Sequence, residues 1–384
     1  MKLVQLAILN RCLIATAITS SLLGHTLTLP AHAQSTPYCQ QITEAIAQKD
    51  RLRQAAMQGD RGAQKQYRRT IDLHAEYLRN CRKKAWPSNE AIWLRLYPCD
   101  TRDGAIEAVL DRIVNRGYNQ VNIEVFYNSK VLLPANGNPT VWSSVLAGTK
   151  AENRDLLAEV IKKGRERGLK VYAWLFTMNF GSNYFRRDDR QQTIARNGWG
   201  QTSITARTVA GLSVELGQST PDEAFIDPYS AEARRDYAQL VQTIAQRKPD
   251  GILFDYIRYP RGSGPASVAS RVQDLWIYGE ASHRALLKRA LNYRGMELIQ
   301  RYLNNGSISA DDLKAATVLY PREGEPQWQG RNPGANTAKL PLARRAARLQ
   351  AELWQLTSSH AAQGVLDFLS TAIEPVQRSR ISSG

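Results

Sequence analysis

The sequence predicts an α/β chain built around a parallel sheet: about four βα units of a (β/α)8 barrel, an N-terminal helical hairpin, and a helical C-terminal region. Three observations carry this expectation. Apolar strand-like runs alternate with helical periodicity across residues 87–265, the order that a parallel sheet requires. Two helical patterns stop at the same pair, Arg116-Gly117 and Arg167-Gly168, just before the next strand, where glycine closes a helix and frees the chain to turn. The run 250–260 leaves a turn at Lys248-Pro249, crosses Ile252-Leu253-Phe254, and sets Asp255 among apolar neighbours before Pro260 and a glycine-rich loop. A charge there is costly unless it is paired or used, and α/β folds place their chemistry at the C-terminal ends of strands. Asp255 is therefore the first candidate for a working residue; an ion pair with Arg258 is the structural alternative.

Taken in order, the chain opens on a positive start (Lys2, Arg11), an apolar stretch over 13–24 and Ala31-His32-Ala33. That pattern is a secretory leader, residues 1–33, predicting a mature start at Gln34 and an exported, periplasmic or extracellular protein. The hairpin occupies 34–86. Its first helix, 38–57, spaces Cys39, Ile42 and Ile46 on one stripe; its second, 61–84, spaces Tyr67, Ile71, His74, Leu78 and Cys81. Antiparallel packing brings Cys39 beside Cys81, so an oxidising compartment allows a disulfide. Two buried thiols are the alternative, and Cys99 is a third thiol able to exchange with either. His74 lies on the apolar stripe and reads as a core histidine.

The half-barrel spans 87–265. Strands are expected at 91–98, 120–128, 170–179 and 250–257, and helices at 104–116, 152–167 and 230–247, with a polar insertion at 181–228. Beyond 265 the periodicity is helical over 272–303 and 342–373, separated by a loop rich in proline. Residues 316–320 are a weak strand candidate, and the tail 378–384 shows no closing element.

The composition excludes several classes. A hydrophobic share of 43% and a charged share of 22% suit a globular protein of 384 residues. After the leader no run is long and apolar enough to span a membrane. The formal charge of +16, or +14 without Lys2 and Arg11, is large. No basic run is interleaved with aromatics as in nucleic-acid readers, so an acidic glycan or polyanionic envelope is the expected partner, against a merely solvated basic surface. His74, His283 and His360 are far apart, so neither a metal site nor a cofactor is expected. Gly-x-Ser-x-Gly, Walker and dinucleotide patterns are absent.

The runs Asn119-Gln120-Val121-Asn122-Ile123-Glu124-Val125, Gly168-Leu169-Lys170-Val171-Tyr172-Ala173-Trp174 and Asp250-Gly251-Ile252-Leu253-Phe254-Asp255-Tyr256-Ile257-Arg258-Tyr259-Pro260 resemble the glycosyl-hydrolase-like family 10 domain, in its exported cyanobacterial branch. The resemblance covers about residues 90–260. It implies a TIM-type barrel related to glycoside hydrolases, a polysaccharide or peptidoglycan-like partner, and an acidic residue at the end of the fourth strand, here Asp255. Family members continue with further strands, so the resemblance also suggests a fragment or a shortened member.

Glycoside hydrolysis uses two carboxyl groups, about 5–5.5 Å apart for retention or 6.5–9.5 Å for inversion, held in different protonation states. Asp255 supplies one. Glu124, a charge inside the second apolar strand, is the candidate for the other; pairing with Arg95 is its structural reading. Asp227 is a third carboxylate, or the cap of the helix from Ser230. Arg95, Tyr97, Tyr127, Asn128, Trp174, Tyr256 and Arg258 sit at strand ends, where they suit a carbohydrate groove; core packing is the alternative for each aromatic. The insertion around Trp199 is a candidate wall. A non-catalytic glycan- or envelope-binding protein is the second functional expectation.

Overall fold

The computed structural model describes residues 38–127, 129–209, 223–262, 264–332, 339–379 and 381–384; the expected leader lies outside them. Two helices come first, α1 (Thr43–Met57) and α2 (Arg61–Lys84). α1 starts later than the apolar spacing suggests, because Cys39 adopts φ 55°, left-handed backbone that a helix cannot contain. Ile42, expected on the inner stripe, is instead 68% exposed. α2 starts under Asp60, whose side chain accepts from the Ala63 amide at 3.0 Å. Cys39 and Cys81 are bonded, with Cα atoms 5.6 Å apart, and enclose 42 residues. In the chain-entropy picture a loop of that length contributes about 4 kcal/mol.

The sheet then forms from β1 (Ala91–Leu94), β2 (Gln120–Tyr127), β3 (Lys130–Val131), β4 (Ser143–Ser144), β5 (Lys170–Phe176), β6 (Gly251–Asp255) and β7 (Ser382–Ser383). β1, β2, β5, β6 and β7 pair in parallel, each beside the next. β3 turns back antiparallel on β2, and β4 pairs with β3. Between the parallel strands run α3 (Ala105–Asn115), α4 (Leu156–Glu166) and α7 (Ala231–Ala245). The long β5–β6 connection also holds α5 (Ser182–Phe185) and α6 (Ser203–Val209). Consecutive strands as neighbours with helical crossovers make a partial TIM-type barrel. The strands are shorter than the apolar runs: β1 ends at Leu94 and β6 at Asp255.

Alternate residues face opposite sides. Val121, Ile123, Val171, Ala173, Leu175 and Ile252 are buried against the helices. The other face carries Trp93, Asn122, Tyr172, Trp174, Phe176 and Leu253; Asn122 is buried, Trp93 is 54% exposed, and the rest are half-buried.

Beyond β6 the helical region differs from the expected two long helices. Its elements are α8 (Glu280–Leu287), α9 (Tyr293–Asn305), α10 (Ala310–Leu319) and α11 (Leu342–Ser379). The 272–303 pattern breaks because Asn292 caps α9, accepting from the Gly295 amide at 2.9 Å, and Gly279 begins α8. Residues 316–320, the weak strand candidate, are the last turn of α10 and its C-terminal cap, Tyr320. A second core of Leu286, Leu298, Ile299, Trp328, Leu349 and Leu353 holds this region together. α11 is about 57 Å long at 1.5 Å per residue, so its first half serves that core while Phe368, Ala372 and Val376 pack on the barrel core. The tail then returns as β7, with Ser382 beside Gly251 and Ser383 beside Ile252. The tail is therefore a strand, contrary to expectation. Its Ser-Ser-Gly sequence has no β-forming signal; the pairing is supplied by β6.

One buried charge ties the hairpin to the barrel helices. Asp111 of α3 is fully buried and receives Arg167 Nε at 2.9 Å and Tyr67 Oη at 2.6 Å. Arg53 Nη1 at 3.3 Å and Lys49 Nζ at 3.8 Å complete the group. Burial pulls the Lys49 amine down to about 8, with Asp111 opposing that shift. Asp50 also pairs with Arg53 at 2.9 Å from a more exposed position, so removing Asp111 leaves chiefly the buried Arg167 and Lys49 uncompensated. Asp111→Ala is expected to lower the unfolding free energy by about 3–5 kcal/mol, read from urea titration by circular dichroism.

Candidate functional site

The site is built on the sheet face that, among the described residues, the helices leave uncovered. Parallel pairing sets Glu124 beside Trp174 and Trp174 beside Leu253, and sets Phe176 beside Asp255. Side chains at these positions share the face. A register shift between Glu124 and Phe126 inserts Val125 as a bulge, a device that re-aims the flanking side chains.

Asp255 closes β6, half-buried. Its Oδ2 accepts from Trp174 Nε1 at 3.1 Å and its Oδ1 from the Tyr256 amide at 2.7 Å. Tyr256 adopts φ 54°, a left-handed conformation uncommon for a bulky residue and found where surrounding structure imposes it. The turn points the Tyr256 ring back at Phe176, with centroids 4.4 Å apart. Arg258 stacks over the Tyr256 ring at 4.7 Å and the Phe225 ring at 5.7 Å. Among the described residues Arg258 has no ion pair, so the structural alternative of an Asp255–Arg258 bridge does not form. Burial lowers the Arg258 pKa below its ordinary value, against the opposing pull of Tyr256.

Glu124 is 1% exposed, and both of its oxygens go to Arg95: Oε1 accepts from Nη2 at 2.8 Å, and Oε2 accepts from Nε. That hydrogen bond is the main cause that raises the Arg95 pKa above its ordinary value. The same guanidinium lies 4.6 Å over the Tyr127 ring. Tyr127 is itself buried, donates to the Leu96 carbonyl at 2.9 Å, and is pushed up to about 12 by burial. Its ring face is occupied by Arg95 and does not present itself to a sugar. Tyr97 is half exposed beside them. Asn128 lies outside the described residues.

Glu124 and Asp255 are thus on one face but separated by β5. At about 4.8 Å per strand and about 3.3 Å per residue, their backbones are offset by about 10 Å across the sheet and about 7 Å along it. Trp174 fills the interval. Its ring touches Trp93 at 4.4 Å and Phe176 at 5.5 Å. Trp93 of β1, Trp174 and Phe176 of β5, and Tyr256 just after β6 therefore form one continuous ladder of rings that passes over β2. Trp93 and Phe176 were not among the expected site residues; their strand-alternate spacing with Arg95 and Trp174 was the available signal. Glu223 was also missed. Its Oε1 accepts from Tyr256 Oη at 3.4 Å, and it follows a stretch without periodicity.

Asp227 belongs elsewhere. It is fully buried; its Oδ1 accepts from Ser282 Oγ at 2.6 Å and the Tyr229 amide at 3.0 Å, and its Oδ2 from the Ser282 amide at 2.9 Å. It caps α8, where Gly279 offers no side chain, while Ser230 caps α7. The expected choice between catalysis and capping α7 is replaced by a third role. Burial raises its pKa. His360 of α11 sits against the same turn. Arg289 Nε donates to its Nδ1 at 3.0 Å, its Nε2 lies 3.0 Å from the Ser282 carbonyl, and Tyr229 stacks on it at 4.2 Å. Trp199, the expected wall, is 54% exposed beneath Arg271.

A family model described as glycosyl hydrolase-like 10 matches residues 77–287. No curated protein matches the chain. Among solved structures, a hypothetical protein from Ruminiclostridium thermocellum is 13% identical over 44% of this chain and 78% of its own, with a TM-score of 0.31. The Streptomyces plicatus N-acetyl-beta-hexosaminidase is 11% identical over 43% and 32%, with a TM-score of 0.26. A beta-galactosidase from Marinomonas ef1 is 13% identical over 71% and 36%, with a TM-score of 0.30. The chain spans about a third of the length of those two enzymes.

The His360 junction gives a pH prediction. Burial pulls His360 down to about 4 from 6.5, with Arg289 adding to the shift. Between those values the unfolded chain binds a proton that the folded chain refuses. Stability therefore falls as pH drops from 6.5, and the His360 share, about 3 kcal/mol, is fully lost below about 4. His74, likewise near 4 through burial, acts in the same direction. Urea titrations at neutral and acidic pH should show a smaller acid-induced loss in His360→Gln than in the parent chain.

Proposed function

This chain belongs to the glycosyl hydrolase-like 10 family, and from that premise we propose that it holds a polysaccharide chain on the uncovered sheet face. The observation that carries the reading is the ladder Trp93–Trp174–Phe176–Tyr256. Aromatic faces with polar groups beside them suit sugar rings, which offer apolar C–H faces and hydroxyl edges. Asp255 supplies an acceptor, and Arg95 and Arg258 supply donors. The charge of +16 favours an acidic glycan, by long-range attraction. We place the protein outside the cytoplasm, on envelope or extracellular polysaccharide, from the leader pattern of residues 1–33 and the disulfide between Cys39 and Cys81.

Binding without cleavage is the reading best supported by the carboxylates. Glu124 has both oxygens hydrogen-bonded to Arg95, so an ion pair accounts for it without a catalytic role. Hydrolysis is the second reading, favoured by Asp255 standing at the C-terminal end of a parallel strand beside a strained Tyr256. In that case Asp255 is the acid or base, and Glu223 across Tyr256 is the nearer partner by contact.

Affinity electrophoresis against soluble acidic and neutral polysaccharides tests the first reading. Trp93→Ala is expected to weaken retention about five- to tenfold, without change in melting temperature. Unchanged retention would sink the ladder as a platform. Reducing-end release separates the second reading: Asp255→Asn removes it by about 10²–10⁴-fold if Asp255 is the proton-transfer group, and leaves retention near the parent value.

A further inference from the structure

The hairpin carries a surface that the glycan face does not use. Tyr38, Ile42, Leu73, Tyr77 and Trp86 are 65%, 68%, 65%, 44% and 82% exposed. The fold gathers them at one end. The Cys39–Cys81 bond joins the residues before α1 to the last turns of α2. Tyr77 Oη donates to the Gln40 carbonyl at 3.3 Å. Leu73 lies one helical turn before Tyr77, and Trp86 follows the end of α2 by two residues. An exposed apolar group of this size marks an interaction surface.

The cations of α2 divide sharply. Arg82 points inward, is buried, pairs with Glu90, and donates to the carbonyls of Gly117, Pro87 and Tyr38. Arg69, Lys83 and Lys84 are exposed and, among the described residues, make no ion pair. Arg116 is exposed and likewise unpaired, on the wall of a polar cavity of about 680 Å³ that also borders Tyr38 and Tyr118. Asp72 and Glu76 are exposed beside Leu73 and Tyr77, but the exposed cations of α2 outnumber them; aliphatic and aromatic tips on such a net positive surface match a bilayer interface, where rings and apolar tips settle among headgroups and cations meet phosphates. Ile42 and Leu73 offer nothing to a soluble acidic polysaccharide. A second copy of a chain of charge +16 would be repelled.

We propose that this end of the hairpin docks onto a membrane surface rich in anionic phospholipid, with Ile42, Leu73, Tyr77 and Trp86 in the interface and Arg69, Lys83 and Lys84 on headgroup phosphates. Docking is peripheral, since among the described residues no helix is long and apolar enough to cross a membrane. The hairpin packs on α3 and α4, behind the sheet, so docking leaves the uncovered face free.

Flotation of the full chain with vesicles of phosphatidylcholine alone, or mixed with phosphatidylglycerol, tests this. Binding is expected on the mixed vesicles and to be much weaker on the neutral ones. Each cation near an anionic surface is worth about a fivefold change in partition, so the combined Arg69→Gln, Lys83→Gln and Lys84→Gln variant should lose about a hundredfold. Ile42→Ser with Leu73→Ser should lose at least about tenfold at unchanged melting temperature, because both positions are exposed. A blue shift of fluorescence on vesicle addition should shrink in Trp86→Phe. Equal partition to both vesicle types, or variants that bind like the parent, as binding through the apolar N-terminal stretch would give, overturns the proposal. So does binding to a soluble acidic polysaccharide at this surface with none to vesicles.

Discussion

A parallel sheet is stable when both of its faces are covered, and the described part of this chain covers one face with helices and leaves the other to its own side chains. The strand composition follows from that constraint. Facing the helices are Val121, Ile123, Val171, Ala173 and Ile252, all fully buried. On the other side apolar aliphatics give way to tryptophan, tyrosine, arginine and carboxylate. These groups protect one another: Trp174 shields Asp255 through Nε1, Arg95 neutralises Glu124, and Tyr127 lies under Arg95. Neighbouring strands satisfy the backbones, and the rings cover one another on a face that, among the described residues, no aliphatic layer closes.

The helical layer has its own dependence on buried charge. Asp111 and Asp227 are both fully buried, and each replaces something the local sequence lacks. Asp111 gives four elements, α1, α2, α3 and the end of α4, a common counter-charge. Asp227 gives α8 the cap that Gly279 cannot provide, and thereby fastens the helical region to the barrel. Such joints orient elements more than they stabilise them, since desolvation offsets most of the attraction. α11 completes the connection by serving two hydrophobic cores along one axis.

Much of the fold was legible because period and punctuation agree in this chain. α2, β2, β5 and β6 stand where strand-like or 3.6-residue periodicity ends in Gly, Asn or Pro signals. What was not legible depends on partners distant in sequence. β7 is Ser382-Ser383, with no propensity for a strand, and exists because β6 offers an edge. The 272–303 pattern reads as continuous because its apolar spacing persists across Gly279 and Asn292, and only the cap geometry shows two helices. In the site, Asp255 and Glu124 were conspicuous as charges inside apolar runs. Their difference was not: Glu124 is neutralised by a side chain that the parallel register delivers, whereas Arg258 turns away from Asp255 to stack on rings.

That difference bears on how a glycosidase-like sheet can lose or keep chemistry. Acid–base catalysis needs two carboxyls with separate environments and free proton-exchange positions. Arg95 gives Glu124 an environment, but it takes both oxygens in doing so. Asp255 retains one oxygen set by a backbone amide and the other by an indole N–H, contacts that orient the group and can lengthen when a ligand hydroxyl approaches. The face therefore holds one carboxylate fixed in an ion pair and another held by an indole and a backbone amide, joined by a ring ladder. Any cleavage then depends on a partner for Asp255 other than Glu124, and Tyr256, held at φ 54°, is the residue through which such a partner on the Glu223 side would be coupled to it.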